Sequence, residues 1–126
     1  GMDAGKIYNS WPLMGYNYFP DDNNFIDLFS LNAFSNPSLV QFMHRNLAYV
    51  VLIFYLIILL KIYKDKILNS YNIIRLIGFL LLLQIILGIF TLINGAQIFL
   101  ASMHQISSIF LVTSSVYLIY LNRKFN

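Results

Sequence analysis

Three stretches of this chain are each long and apolar enough to cross a lipid bilayer, and nothing else in the sequence limits its fold so strongly. A hydrocarbon core about 30 Å thick takes about 20 mostly apolar residues in a helix. Residues 39–62, 73–93 and 96–121 reach that length. The first is free of charge from Asn46 to Leu60, the second contains Arg75 and Gln84, and the third holds His104, Gln105 and a group of Ser and Thr. Buried helices of a soluble protein would need a charged skin around them. Only 10% of the 126 residues are charged, against 59% hydrophobic, where a soluble chain carries about 25% charged. The pattern predicts an all-α membrane protein: three transmembrane helices in residues 39–126, preceded by a long loop segment, residues 1–38. A soluble enzyme is excluded. So is a nucleic-acid partner, because the eight cations behind the net charge of +3 are scattered and form no patch.

The cations orient the spans. Lys61, Lys64, Lys66 and Arg75 lie between the first two spans, opposed only by Asp65, and Arg123 and Lys124 follow the third. By the positive-inside rule both regions face the cytoplasm. The first 38 residues carry four Asp and one Lys, so they face outward. The expected protein is a multi-pass component of the cell inner membrane, N-terminus outside and C-terminus cytoplasmic. Its start is not a signal peptide, since no cationic stretch leads into an apolar core. The outer segment is rich in turns, at Trp11-Pro12, Gly15, Pro20-Asp21-Asp22-Asn23 and Asn36-Pro37. Phe25, Ile26, Leu28, Phe29 and Leu31 suit a short helix lying on the membrane surface.

There is no cysteine and no glutamate, and the acids are Asp3, Asp21, Asp22, Asp27 and Asp65. Thiolate metal sites and paired-glutamate catalysis are ruled out. The two histidines remain. His44 lies about five residues into the first span and His104 about eight into the third. Both spans enter from outside, so at about 1.5 Å per residue the two rings lie at similar depth. An ionisable side chain inside a span marks a functional position, because lipid burial is costly. Two facing imidazoles form a bis-histidine haem iron site. Zinc fits less well, as it wants four ligands. The plainer alternative is an interfacial residue or an interhelical hydrogen bond for each ring. Arg45 suits either a haem propionate or a snorkelling position. Gln41, Gln84 and Gln105 suit either the surroundings of a haem or hydrogen bonds between helices. Gly78 and Gly88 allow close approach of a helix or a cofactor.

These residues carry a resemblance. Asp3-Ala4-Gly5-Lys6 with Asn9-Ser10-Trp11-Pro12-Leu13-Met14 resembles a segment of the haem A synthases. Val40-Gln41-Phe42-Met43-His44-Arg45 resembles that family's entry into a helix. Gln84-Ile85-Ile86-Leu87-Gly88-Ile89-Phe90-Thr91-Leu92 is similar to another of its helices, and His104-Gln105 to the pair in its last. The motifs follow the family's order and cover nearly the whole chain.

The resemblance implies the following. Haem A synthases have eight spans in two similar four-helix halves. This chain looks like the C-terminal half without its first helix, beginning at Gly1 in the loop after it. The family's haem-binding histidines of that half carry over to His44 and His104, as axial ligands of a haem b that passes electrons. The family oxidises the C8 methyl of haem O to a formyl group, giving haem A for cytochrome oxidase. The substrate chemistry belongs to the N-terminal half, so that half, or another copy of the synthase, is the implied partner. The resemblance implies an oxidoreductase part, with the fragment inactive alone. A standalone bis-histidine membrane cytochrome and a non-catalytic fragment are the competing readings.

Overall fold

A computed structural model describes residues 3–125 of the chain, without the side chains of Asn32, Lys124 and Phe125. Gly1 and Asn126 lie outside the described residues, as does the Lys124 side chain that enters the charge argument. The fold is all-helical. Three long helices follow one another: α1 (Pro37–Lys64), α2 (Tyr71–Ile93) and α3 (Ile98–Phe125). All three are long and apolar enough to cross a membrane, and the chain is a multi-pass membrane protein.

Helix ends are set by local chemistry. Asn36 caps α1, its side chain accepting from the backbone N–H of Ser38 at 2.9 Å and of Leu39 at 3.3 Å, and Pro37 opens the helix where its missing N–H costs nothing. Lys66 ends α1 at φ 53°, and the N–H groups of Lys66 and Ile67 return to the carbonyls of Tyr63 and Ile62. Gly95 and Ala96, both at positive φ, end α2 in the same way, with bonds to Leu92 and Thr91. These are Schellman-type stops. The left-handed pair Gly95-Ala96 takes up the turn, so α3 starts at Ile98 rather than at residue 96 as the apolar run suggests.

One buried cluster lies at one end of the bundle. Near the α1–α2 turn, Ile62, Ile73, Ile74 and Ile77 form a buried cluster with Leu59, Leu111 and Leu118 against it. Tyr55 of α1 reaches over Gly78 and donates to the carbonyl of Ile74 at 3.3 Å. Tyr63 stacks on Tyr71 with ring centroids 4.7 Å apart, and Tyr117 on Tyr120 at the same end. The helices α2 and α3, joined by a tight turn, are closely paired, while α1 packs on α2 less extensively. Phe54, Phe79, Ile109 and Val112 lie on the outside and are more than half exposed, which suits lipid rather than water.

Ahead of α1, the chain folds back over the start of α1 and the α2–α3 turn. The stretch that the sequence suggests as one surface helix is two short 3-10 turns, Phe25–Phe29 and Leu31–Phe34. Asn24 and Asp27 cap the first of them reciprocally. Phe25, Ile26, Phe29 and Leu31 project outward from these turns.

Candidate functional site

His44 is the eighth residue of α1 and His104 the seventh of α3. At about 1.5 Å per residue both rings lie roughly 10 Å along their helices. Across the gap between the helices their ring centroids are 6.4 Å apart, with the planes inclined at 75°. His44 is exposed and His104 half-buried. The space for His104 comes from Gly88 on α2. A Cβ built there would meet the ring's Cε1 at 3.0 Å. Gly88→Val should therefore push the ring aside and cost about 1–3 kcal/mol by overpacking, read as a lower midpoint in thermal unfolding followed by circular dichroism.

His104 is tied into a polar group between α2 and α3. Its Nε2 lies 3.2 Å from Gln84 Nε2. Ser107 Oγ donates to Gln84 Oε1 and lies 3.0 Å from the His104 carbonyl oxygen. Ser107 is buried. The His104 Nδ1 is buried as well and has no hydrogen-bond partner.

The other expected site residues divide. Gln41 and Arg45 lie on α1 beside His44, but both reach the outer segment. Gln41 Nε2 donates to the Tyr8 carbonyl at 3.1 Å. Arg45 donates from one terminal nitrogen to the Leu13 carbonyl and from the other to that of Tyr8, both at 3.1 Å. Its Nε is buried without a partner, as is Gln41 Oε1. Gln105 is exposed, about 100° around the helix from His104, and does not join the group. Gln84 and Ser107 do. Sequence reasoning left Gln84 among three equivalent amides and gave Ser107 no separate role. A signal was present, since Gln84 precedes Gly88 by one turn on one face of α2, a polar group beside a space.

The motif segment of the outer loop is what Arg45 and Gln41 hold down. Ala4–Lys6 packs on α1 and α2, with Gly5 against Ala96, and Met14 is fully buried. Phe19 and Tyr18 meet Phe42 edge-on at 5.1 and 5.6 Å. Tyr18 donates to Asn46 at 2.7 Å. Asp22 gathers three donors: Ser38 at 2.6 Å, Tyr8 at 3.0 Å and Asn23 at 2.9 Å. Burial pushes its carboxyl up, but the hydrogen bonds from Ser38, Tyr8 and Asn23 outweigh burial and hold it below its ordinary value. A carboxyl with a lowered folded pKa stabilises the fold above its unfolded value and loses that contribution as pH falls through the folded one. Acidification below about pH 4 should thus loosen the segment. The emission of Trp11, the one tryptophan, should change over that range, and Asp22→Asn should abolish the change. A flat acid titration of the unaltered chain would contradict this.

Among the described residues no group of three or more His, Cys, Asp or Glu is placed to hold a metal ion. A metal bound here must bring most of its own ligands. Haem does so, needing only two axial donors. The imidazoles of His44 and His104, 6.4 Å apart on separate helices, are the donors that would hold such a group.

The family described as cytochrome oxidase assembly protein matches residues 1–116. The chain is 43% identical over 122 residues to a "Heme A synthase" of Pelagibacter ubique, covering 97% of this chain and 36% of that protein. It is 36% identical over 124 residues to one of Rickettsia prowazekii, covering 96% and 36%. Against "Heme A synthase COX15" of Saccharomyces cerevisiae the identity is 36% over 130 residues, covering 92% and 27%. No solved structure matches. The chain spans about a third of the length of the curated relatives it matches. With the family matched over most of its length, the chain belongs to the haem A synthase family.

Proposed function

We propose that this chain is the haem-b-holding C-terminal part of a haem A synthase, the enzyme that converts the C8 methyl of haem O to a formyl group for cytochrome oxidase. The observation that carries this reading is the His44–His104 pair, two imidazoles 6.4 Å apart on separate spans. His44 and His104 would hold the iron. Held by these two residues, a haem b would supply one-electron transfer rather than oxygen activation. Gly88 leaves the space that lets His104 lie against α2. Arg45 and Gln41 keep the outer segment beside the histidines through its backbone carbonyls. The buried Nε–H of Arg45, without a partner, is a donor that a propionate would satisfy. Gln105 has no part in this arrangement.

The test is direct. The purified chain in detergent, titrated with hemin, should give a low-spin reduced-minus-oxidised spectrum at one haem per chain. A chain that takes up no haem would support a non-catalytic fragment instead.

The reading includes a place in the cell. The chain crosses the inner membrane three times, with residues 1–38 outside and the α1–α2 turn and C-terminus in the cytoplasm. Lys61, Lys64, Lys66, Arg75, Arg123 and Lys124 support that orientation. The outward apolar side chains of Phe25–Phe29 would then rest on the outer membrane surface. Reporter fusions at Asp65 and Asn126 should both read cytoplasmic, and a periplasmic signal from either contradicts the orientation. The expected partner is an N-terminal half carrying the substrate site, or another copy of the synthase.

A further inference from the structure

The two nitrogens of His104 are in different situations. Nε2 lies 3.2 Å from Gln84 Nε2, and Nδ1 is buried with no partner. An amide nitrogen carries hydrogens and offers no lone pair, so Gln84 Nε2 only donates. His104 Nε2 must then accept, which puts the ring's single proton on Nδ1. The amide is held that way round from its other end, where Ser107 Oγ donates to Gln84 Oε1. Ser107 lies three residues on from His104, on the same face of α3, and is buried. Nothing on the Nδ1 side draws the proton there, since a buried N–H without an acceptor is unfavourable. The preference rests on Gln84 alone.

We propose that Gln84, oriented by Ser107, is a positioning residue that fixes His104 as the Nδ1–H tautomer with its lone pair on Nε2. No proton is gained or lost; the one proton of a neutral imidazole is kept on a chosen nitrogen. The purpose rests on the haem reading above, because a metal takes the lone-pair nitrogen of a neutral imidazole, and hydrogen bonding decides which nitrogen that is. The same amide stands on that nitrogen, so ligand entry exchanges one partner for the other. A reversed arrangement is the competitor: Ser107 gives its proton to the His104 carbonyl oxygen 3.0 Å away, the amide turns end for end, and the imidazole proton moves to Nε2.

The two arrangements differ in the 15N shifts of the ring. The whole chain, labelled at its two histidines, is measured in lipid nanodiscs without haem, at a pH above about 8 where free imidazole is neutral. A His44→Gln variant assigns the signals. The expected result for His104 is a protonated, pyrrole-type Nδ1 and a pyridine-type Nε2. Gln84→Leu should shift His104 toward the Nε2–H form, and Ser107→Ala should shift it part of the way. Ser107→Thr, which keeps the hydroxyl, should not. A pyridine-type Nδ1 in the unaltered chain overturns the proposal, as does a Gln84→Leu variant that is folded by circular dichroism and unchanged in both shifts. If Gln84→Leu does not fold, the unaltered chain and the two Ser107 variants still decide. A separate hemin titration tests the reading beneath. The expected tautomer with no low-spin haem spectrum sinks the haem reading and leaves the hold of Gln84 on the ring. Haem uptake with the proton on Nε2 does the reverse.

Discussion

Replacing either histidine by alanine should strip the chain of low-spin haem. In the proposed site both histidines would hold the iron, so losing either should weaken or release the haem. Loss of a partner that only supports a metal ligand typically costs about 10- to 100-fold in affinity, and loss of the ligand itself should cost more. We expect hemin affinity to fall by at least about a hundredfold in His44→Ala and in His104→Ala, with any residual spectrum high-spin. The two variants should differ in one respect. His44 is exposed and takes no part in the Gln84 group, so His44→Ala should leave thermal stability nearly unchanged. His104 fills the space beside Gly88 and engages Gln84. His104→Ala leaves a gap and an unpaired amide, and should cost about 1–3 kcal/mol of stability. Gln105→Ala is the control. Its side chain is exposed, and haem binding should match that of the unaltered chain. A single-histidine variant that keeps the low-spin spectrum would remove the bis-histidine reading.

Length and hydropathy made the spans legible, because a bilayer imposes both on any helix that crosses it. The histidine pair was legible for a related reason. Helices that enter from the same side carry residues to similar depths, so counting from each entry brought His44 and His104 level before any packing was known. Rotation about each helix axis was not legible. Gln84 and Gln105 are the same side chain in comparable apolar runs, and only the packing of α2 on α3 turns the first toward His104 and the second away. The role of Arg45 was hidden more deeply. Its acceptors are the carbonyls of Leu13 and Tyr8, 32 and 37 residues away in the chain. Backbone carbonyls are present at every residue and leave no mark in a sequence. The family motif identified Trp11 to Met14 as belonging there, without the physical reason. The structure supplies part of one, a buried Met14 and a carbonyl at Leu13 turned to Arg45. The type of the short outer helix was not legible, because five apolar residues within seven fit a 3-10 turn as readily as an α-helical one.

A polypeptide of these 126 residues should make no haem A by itself. Oxidising a methyl group on a bound haem needs a second iron site for the substrate and a group to take protons. The chain has two histidines, and the proposed haem site would use both. Its acids are Asp3, Asp21, Asp22, Asp27 and Asp65, all outside the three helices. Glutamate is absent from the sequence. No carboxylate therefore stands at the depth of the histidines to move a proton in the membrane. The proposed division of labour is a haem-holding part here and substrate chemistry in a partner. Expressed in cells that accumulate haem O and lack any other synthase, the chain should yield no haem A above background in extracted haems separated by chromatography. Co-expression with an N-terminal half of a related synthase should restore it, and His104→Ala in this chain should abolish the restored activity. Haem A from the chain alone would place the oxidation at His44, Arg45 and His104 themselves, and the assignment of this site to electron transfer would have to be abandoned.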